Sequence, residues 1–323
     1  VAVKNKWLGW RKSLLASLEA GSKTAETALG FVEYGVRGAG PAVLALHGNP
    51  GGYDQGLLLF RELTRRGYSV IAPSRPGYLR TPVGGGFTPA QQAGLFVALL
   101  DSLGLDKVVV GAFSAGGPCA LELAIQFPER VSGLLLLSSV TKNYVPEDHY
   151  ADTALGKFFD YDLGSWLILL IAEYAPSLMV KAIVDAEGSF EQLMADRLAE
   201  QILLEPEKVT YASDVIETMV PASKRRRGND NDLYQLANLA ELKLEEIRCP
   251  TLIVHGTHDK DVPSSHATYA AERIAGSELI LIEEGFHLLD LSMQSDMIWD
   301  RASQFVARLN ASEMKQPERE CSS

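Results

Sequence analysis

Four things are scarce or missing in this chain of 323 residues, and each closes off a class of function. There are three cysteines, an odd number without the spacing of a disulfide framework or a metal clip, so no oxidising compartment is demanded. Cys119 falls in a helical pattern, Cys249 precedes Pro250 and Cys321 lies in a polar tail. No uninterrupted apolar run reaches the roughly 18 residues of a membrane span. Positive charge is in deficit, with 30 Lys and Arg against 41 Asp and Glu, a net charge of -11 that disfavours nucleic acid as a general partner. No phosphate-cradling loop is present either. Gly84-Gly85-Gly86 neither follows a strand pattern nor opens a lysine-bearing helix, so no nucleotide cofactor is expected. His255, His258, Asp259 and Asp261 crowd one stretch, but a strand end converges poorly on a metal at that spacing, and no metal is expected.

What is present is an ordinary globular composition, 46% hydrophobic and 22% charged, in a length that allows one α/β domain with an insertion. Residues 1–20 combine Lys4, Lys6, Arg11 and Lys12 with Trp7, Trp10, Leu14, Leu15 and Leu18, the pattern of an amphipathic helix without the apolar core of a signal peptide. A helix over residues 1–25 is therefore expected to pack on the body or on a neighbouring subunit of a homo-oligomer, with a place on a membrane surface as the alternative; the expected location is cytoplasmic.

Strand and helix patterns then alternate. A hairpin over 27–36 precedes the apolar run Ala42-Val43-Leu44-Ala45-Leu46, which ends in His47-Gly48-Asn49-Pro50-Gly51-Gly52. A helix over 54–66 leads to a strand at 68–72, and that strand to Ser74-Arg75-Pro76-Gly77-Tyr78. Thr88 and Pro89 open a helix reaching about 103. Val108-Val109-Val110-Gly111-Ala112-Phe113-Ser114-Ala115-Gly116-Gly117-Pro118 reads as strand, sharp turn and helix around one serine. After a strand at 134–137 the alternation stops. Residues 141–245 are helical in pattern and rich in apolar groups, among them Phe158, Phe159, Trp166, Ile168, Ile171, Tyr174 and Met179, as in a cap laid over a site. Strands resume at 250–254 and 279–282, ending in His255-Gly256-Thr257-His258-Asp259-Lys260-Asp261 and in Glu283-Glu284-Gly285-Phe286-His287. A last amphipathic helix runs to about 309, and 311–323 read as a disordered tail. The predicted fold is a doubly wound, mostly parallel α/β sheet in two segments, 26–140 and 246–310, with an all-helical insertion.

Four strand ends thus carry chemistry-bearing turns in one order, and over about residues 25–310 the chain resembles the α/β-hydrolase superfamily. The resemblance implies a nucleophilic Ser114 on an elbow, with Ala112 where a first glycine is common, His287 as its base and Asp259 as the orienting acid, Asp261 being the near rival. The strand before the insertion ends in Ser138-Ser139-Val140 without a carboxylate, which favours the late acid. The His47-Gly48-Asn49-Pro50-Gly51 loop resembles the family's H-G-x-P-G, so the backbone N–H groups of Asn49 and Ala115 are assigned to the oxyanion hole and His47 to holding the loop. Ser74 stands where the family's D-x-P-G-x-G turn has its aspartate.

The function these residues imply is hydrolysis of small hydrophobic carboxylic esters through an acyl-enzyme, with Phe113, Trp166 and Tyr174 as substrate contacts and no cofactor. Lys224-Arg225-Arg226-Arg227 or Arg197 would suit a substrate carboxylate, as in monoalkyl phthalate half-esters, or would simply be a solvated surface. His47 to Gly52 also resembles proline iminopeptidases, which need cap carboxylates for a free amine; Glu173, Glu187 and Glu191 are available. C–C bond hydrolases and lactonases use the same triad, and a ligand receptor could retain the fold without catalysis.

Overall fold

The computed structural model describes residues 2–84, 87–145 and 161–314. Eight strands form one sheet in the order β1-β2-β4-β3-β5-β6-β7-β8. The hairpin β1 (Lys23–Thr27) and β2 (Gly30–Arg37) is antiparallel and joins β4 (Ser69–Pro73) antiparallel. From there the neighbours are parallel: β3 (Ala42–Leu46), β5 (Val108–Phe113), β6 (Val131–Leu137), β7 (Thr251–Gly256) and β8 (Glu278–Ile282). Consecutive side chains on a strand point to opposite faces. Val43 and Ala45 accordingly enter one apolar cluster with Val109, Leu135 and Leu137, while Leu44 and Leu46 enter another with Val110, Leu134 and Leu136. A sheet covered on both faces needs apolar residues at every position, which is why its strands read as continuous apolar runs.

Helices cover both faces. α4 (Pro89–Ser102) begins where Thr88 caps it: its side chain accepts the Gln91 N–H at 3.2 Å, and Gln91 Oε1 accepts the Thr88 N–H at 3.0 Å. The helix expected over 54–66 is two, α2 (Tyr53–Leu59) and α3 (Arg61–Arg65), parted at Phe60. Phe60 leaves helical geometry (φ -108°, ψ 18°) to lay its ring against Gly111, where an added β-carbon would come within 2.4 Å of it. α5 (Gly117–Gln126), α11 (Ser265–Arg273) and α12 (Ser295–Met314) complete the layers. α12 takes in the first residues of the expected tail, and 315–323 lie outside the described residues.

Between β6 and β7 the described chain is helical: α6 (Asp162–Tyr174), α7 (Pro176–Glu187), α8 (Gln192–Leu203), α9 (Pro206–Glu217) and α10 (Arg226–Ala237). Phe158 and Phe159 lie outside the described residues. Met179, Val180, Ile183, Val184, Leu198 and Tyr211 join the same apolar cluster as Val43 and Phe113, so cap and sheet share one core. The N-terminal helix α1 (Ala2–Ala20) packs on this body. The Leu18 carbonyl accepts the Tyr53 hydroxyl at 2.7 Å, and Arg11 pairs with Asp162 at the start of α6 at 2.7 Å. Among the described residues no single helix is long and apolar enough to cross a membrane.

Candidate active site

β5 delivers Ser114 at its carboxyl end, 4% exposed and with φ 51°, a left-handed conformation that costs a residue bearing a β-carbon. The turn closes only because its neighbours are small. A β-carbon on Gly116 would stand 2.7 Å from the Leu46 carbonyl oxygen, and one on Gly117 would stand 2.2 Å from that of Val140. Ala112 is accommodated; its carbonyl accepts the Ser139 hydroxyl at 3.1 Å. The Ser114 carbonyl in turn accepts the Val140 N–H at 3.0 Å, tying the elbow to the end of β6.

The loops after β7 and β8 meet beside it. The His258 N–H donates to the Gly285 carbonyl at 2.8 Å, and Gly256 has no room for a side chain because Gly285 lies against it. This brings Asp259 and His287 together, with His287 Nδ1 2.9 Å from Asp259 Oδ2. Asp259 also accepts the Val262 N–H at 2.8 Å and faces His255 Nε2 at 3.2 Å. Burial alone would raise the pKa of Asp259, but the adjacent His287 and His255 draw it down to about 2. Asp261 occupies another place altogether: its Oδ2 lies 3.2 Å from His287 Nε2, on the far side of the ring. Burial opposes protonation of the imidazole, yet Asp259 and Asp261 together raise its pKa to about 10. No hydrogen bond joins the Ser114 hydroxyl to His287 among the described residues; Nε2 faces Asp261 instead.

The loop after β3 is held from beneath by Arg75. Its Nε donates to the His47 carbonyl at 3.0 Å and its Nη2 to the Gly48 carbonyl at 3.1 Å, while Nη1 meets Asp232 of α10 at 2.7 Å. The Tyr78 hydroxyl donates to the same carboxylate. His47 is fully buried, its Nε2 accepting the Arg75 backbone N–H at 2.9 Å and its Nδ1 2.7 Å from the Gly48 carbonyl. Burial and Arg75 push its pKa well below normal, so it stays neutral. Asn49 joins Pro50 through a cis peptide. The aspartate missing at Ser74 has a substitute: the Ser74 hydroxyl donates at 3.0 Å to Glu33 of β2, which is buried and paired with Arg80 at 2.7 Å.

The cap run is neither a solvated surface throughout nor a substrate cradle. Arg225 is 1% exposed, donating to the Gly51 carbonyl at 2.7 Å and to Asp54 at 2.6 Å. Lys224, Arg226 and Arg227 are exposed and line no part of the cavity described next.

That cavity, of about 330 Å³, opens between cap and sheet. Ile168, Ile171, Leu178, Met179, Ile183 and Val215 form its apolar walls, and Asn49, Phe113 and His287 lie on its floor. The Phe113 ring stands 4.7 Å from that of His287. Two expected substrate contacts are corrected. Trp166 does not line the cavity, because Ile168 and Ile171 carry the inward stripe of α6 and Trp166, two residues before Ile168, is turned about 200° away from it. Tyr174 ends α6 with 76% of its surface exposed, also outside the cavity. Glu173 and Arg197 are exposed and line no part of it either.

A family model described as alpha/beta hydrolase fold matches residues 41–291. The chain belongs to the α/β-hydrolase fold family. It is 33% identical over 275 residues to the hydrolase YcgS of Bacillus subtilis (strain 168), covering 82% of this chain and 91% of that protein. A 2-hydroxymuconate semialdehyde hydrolase of Pseudomonas putida is 28% identical over 261 residues, covering 77% of this chain and 78% of its own. Among solved structures, an alpha/beta hydrolase fold protein from Nakamurella multipartita superposes with TM-score 0.84 at 36% identity, covering 90% of this chain and 99% of that one.

Two features of this hydrolase's site go beyond what the sequence reading placed: Glu187, there one of three cap carboxylates available to an amine, and the Arg75–Asp232 clamp. Glu187, the last residue of α7, lines the cavity beside Asp261 and His287, and burial with the nearby Asp261 raises its pKa to about 7. No motif marks it; its place depends on how α7 docks. The Arg75–Asp232 clamp did leave a signal, an arginine at the end of an apolar strand where only a buried partner could keep it. Among the cavity's described lining residues Glu187 and Asp261 are acidic, there is no Lys or Arg, and His287 alone can carry positive charge. The cations expected to pair with a half-ester carboxylate, Lys224 to Arg227 or Arg197, do not line it.

Proposed function

We propose that this hydrolase cleaves carboxylic esters bearing a neutral apolar group of moderate size, through an acyl-enzyme on Ser114. In its neutral form, reached when Nε2 gives up to solvent the proton it holds against Asp261, His287 swings Nε2 to the Ser114 hydroxyl and takes that proton as Oγ attacks the acyl carbon. Asp259 holds Nδ1 and stabilises the imidazolium. The N–H groups of Asn49 and Ala115 receive the developing oxyanion. The proton passes to the leaving alcohol, and a water activated by the same imidazole releases the acid. The observation that carries this reading is the Asp259–His287 pair at 2.9 Å, with His287 on the floor of an apolar cavity and its ring 4.7 Å from that of Phe113, the residue before the left-handed Ser114. A volume of about 330 Å³ lies at the small end of ligand sites, which favours short or single-ring groups. The test is turnover of p-nitrophenyl esters across acyl length. A maximum at short to medium chains that disappears in Ser114→Ala supports the reading; equal turnover in Ser114→Ala overturns it.

Glu187 favours a second reading, in which the acyl group carries an ammonium paired with this carboxylate, as in amino-acid esters or amides. Faster turnover of an aminoacyl anilide than of the matching acetyl-capped anilide would select it. The Pseudomonas relative is named for a muconate derivative, a carboxylate; among the described lining residues only the His287 imidazolium could meet such a group, and it stands between acidic side chains.

A further inference from the structure

Glu187, Asp261 and His287 converge from the cap, the loop after β7 and the loop after β8, with one ligand-type atom from each lying within 4.8 Å of the others. We propose that these three side chains form a binding site for a divalent transition metal such as zinc, and that its occupation switches the hydrolase off. Zinc holds imidazole nitrogen and carboxylate oxygen at about 2.0–2.2 Å, which sets two ligands of a tetrahedral ion about 3.3–3.5 Å apart. Asp261 Oδ2 and His287 Nε2 already stand 3.2 Å apart, and the ion takes the place of the proton on Nε2, which is released to solvent. A rotation of the Glu187 side chain supplies the third ligand, and the apolar cavity leaves room for a water as the fourth.

One further observation points to a cation, and two show that the ligands are held in place for it. Glu187 Oε2 is enclosed by protein and accepts no hydrogen bond, a costly state for a buried carboxylate that a metal would relieve. The backbone around it is fixed: Gly188 pairs with Asp259 in an isolated antiparallel bridge, the Lys260 N–H donates to the Glu187 carbonyl at 3.1 Å, and the Ser189 N–H donates to the His258 carbonyl at 2.9 Å. Cap and acid loop are thus stitched together at the point where both carboxylates leave the chain. Finally, His287 Nδ1 is already held by Asp259, which itself accepts the Val262 N–H. A metal-ligating histidine whose other ring nitrogen donates to a hydrogen-bonded carboxylate is the arrangement that orients imidazole toward a metal and strengthens it as a ligand. One imidazole with two carboxylates suits zinc, cobalt or nickel better than magnesium or calcium, which take oxygen alone.

The consequence rests on the ester-hydrolase reading: an Nε2 lone pair bound to metal cannot accept the Ser114 proton. Metal binding itself does not depend on that reading, so the two are measured separately. Wild type, Ser114→Ala, Glu187→Gln and Asp261→Asn are dialysed against zinc chloride and their bound metal counted; cobalt(II) absorption reports the ligand set. One zinc per chain is expected in wild type and Ser114→Ala. Binding should weaken by about tenfold or more in Glu187→Gln and Asp261→Asn, whose near-isosteric side chains keep the fold. Zinc should abolish p-nitrophenyl ester turnover in wild type, reversibly with a chelator, and should inhibit Glu187→Gln far less relative to that variant's own metal-free rate. Zinc that binds all four proteins equally, or none, overturns the proposal. So does inhibition undiminished in Glu187→Gln. An absence of zinc binding together with protection of Glu187 by organic ammonium ions would assign the pocket to the amine instead. Stoichiometric zinc in a wild type that cleaves no ester would leave the metal site standing and overturn the ester reading alone.

Discussion

Ser114, Asp259 and His287 follow β5, β7 and β8, where the register of a parallel sheet places each strand end beside the next. Glu187, Arg225 and Asp232 come from the cap, where no ladder sets their positions and each is placed by the docking of a helix or the turn before one. The floor is secured by backbone hydrogen bonds and glycines too crowded to carry a side chain. The roof is secured by buried ion pairs, Asp232 to Arg75 and Arg225 to Asp54. Backbone register tolerates changes of surface side chains, whereas a buried ion pair fails when one partner is removed. Floor and roof should therefore break differently under mutation.

The largest effect is expected on the floor. Asp259→Asn should lower kcat by about 10⁴-fold, because the imidazole loses the carboxylate that sets its tautomer; steady-state turnover of the best p-nitrophenyl ester measures it. The roof should respond in stability. Asp232→Ala strands Arg75 without a counter-charge in the interior and should cost about 3–5 kcal/mol in denaturant unfolding. Activity should fall as well, since Arg75 also holds the His47 and Gly48 carbonyls of the loop that we propose supplies an oxyanion-hole N–H. An unfolding midpoint unchanged in Asp232→Ala would mean that the cap is held chiefly by its apolar contacts.

Asp261 sharpens the comparison, because it lies on a floor loop yet is half-exposed and faces the cavity. The raised pKa of His287, about 10, favours the protonated imidazole at neutral pH, so under the proposed mechanism kcat/KM should climb as pH rises toward that value. Removing one of the two charges that hold the proton lowers this pKa. Asp261→Asn should therefore shift the rising limb of the pH–rate profile to lower pH, leaving the Nδ1 partner in place. An unshifted limb would mean that Asp259 alone sets the titration. The smallest effect belongs far from both regions: Thr88→Ala removes the cap of α4 and should cost about 1 kcal/mol of stability with turnover unchanged.

How much of this was legible in the sequence follows the same division. The run Ala42-Val43-Leu44-Ala45-Leu46 is β3 residue for residue, because a strand buried on both faces has no polar position to blur its ends. Thr88 with Pro89 marked the start of α4 through local capping chemistry alone. The helix expected over 54–66 breaks at Phe60, where packing against Gly111 outweighs helical periodicity. Asp261 was legible as a carboxylate near the acid position, though not as the partner of Nε2, since two residues of loop can turn either way. Trp166 and Tyr174 are large aromatics in an apolar helix, and composition does not say which stripe of that helix faces inward. Arg225 read as one cation in an exposed run; what buries it is the Gly51 carbonyl and Asp54, distant in sequence by more than 170 residues.

The sequence by itself determined the strand–helix alternation, the strand ends at which polar turns gather, and the small residues that let a serine stand on a left-handed turn. Those are local matters, decided by side-chain period, by β-branching and by the space a β-carbon needs. Tertiary structure alone decided that Glu187 shares the cavity with Asp261 and His287, that Arg75 reaches Asp232, and that Nε2 rests against a carboxylate. Each depends on where a cap element meets a loop, or a loop meets a side chain, and that meeting is settled by packing summed over many residues, which no short stretch of chain encodes.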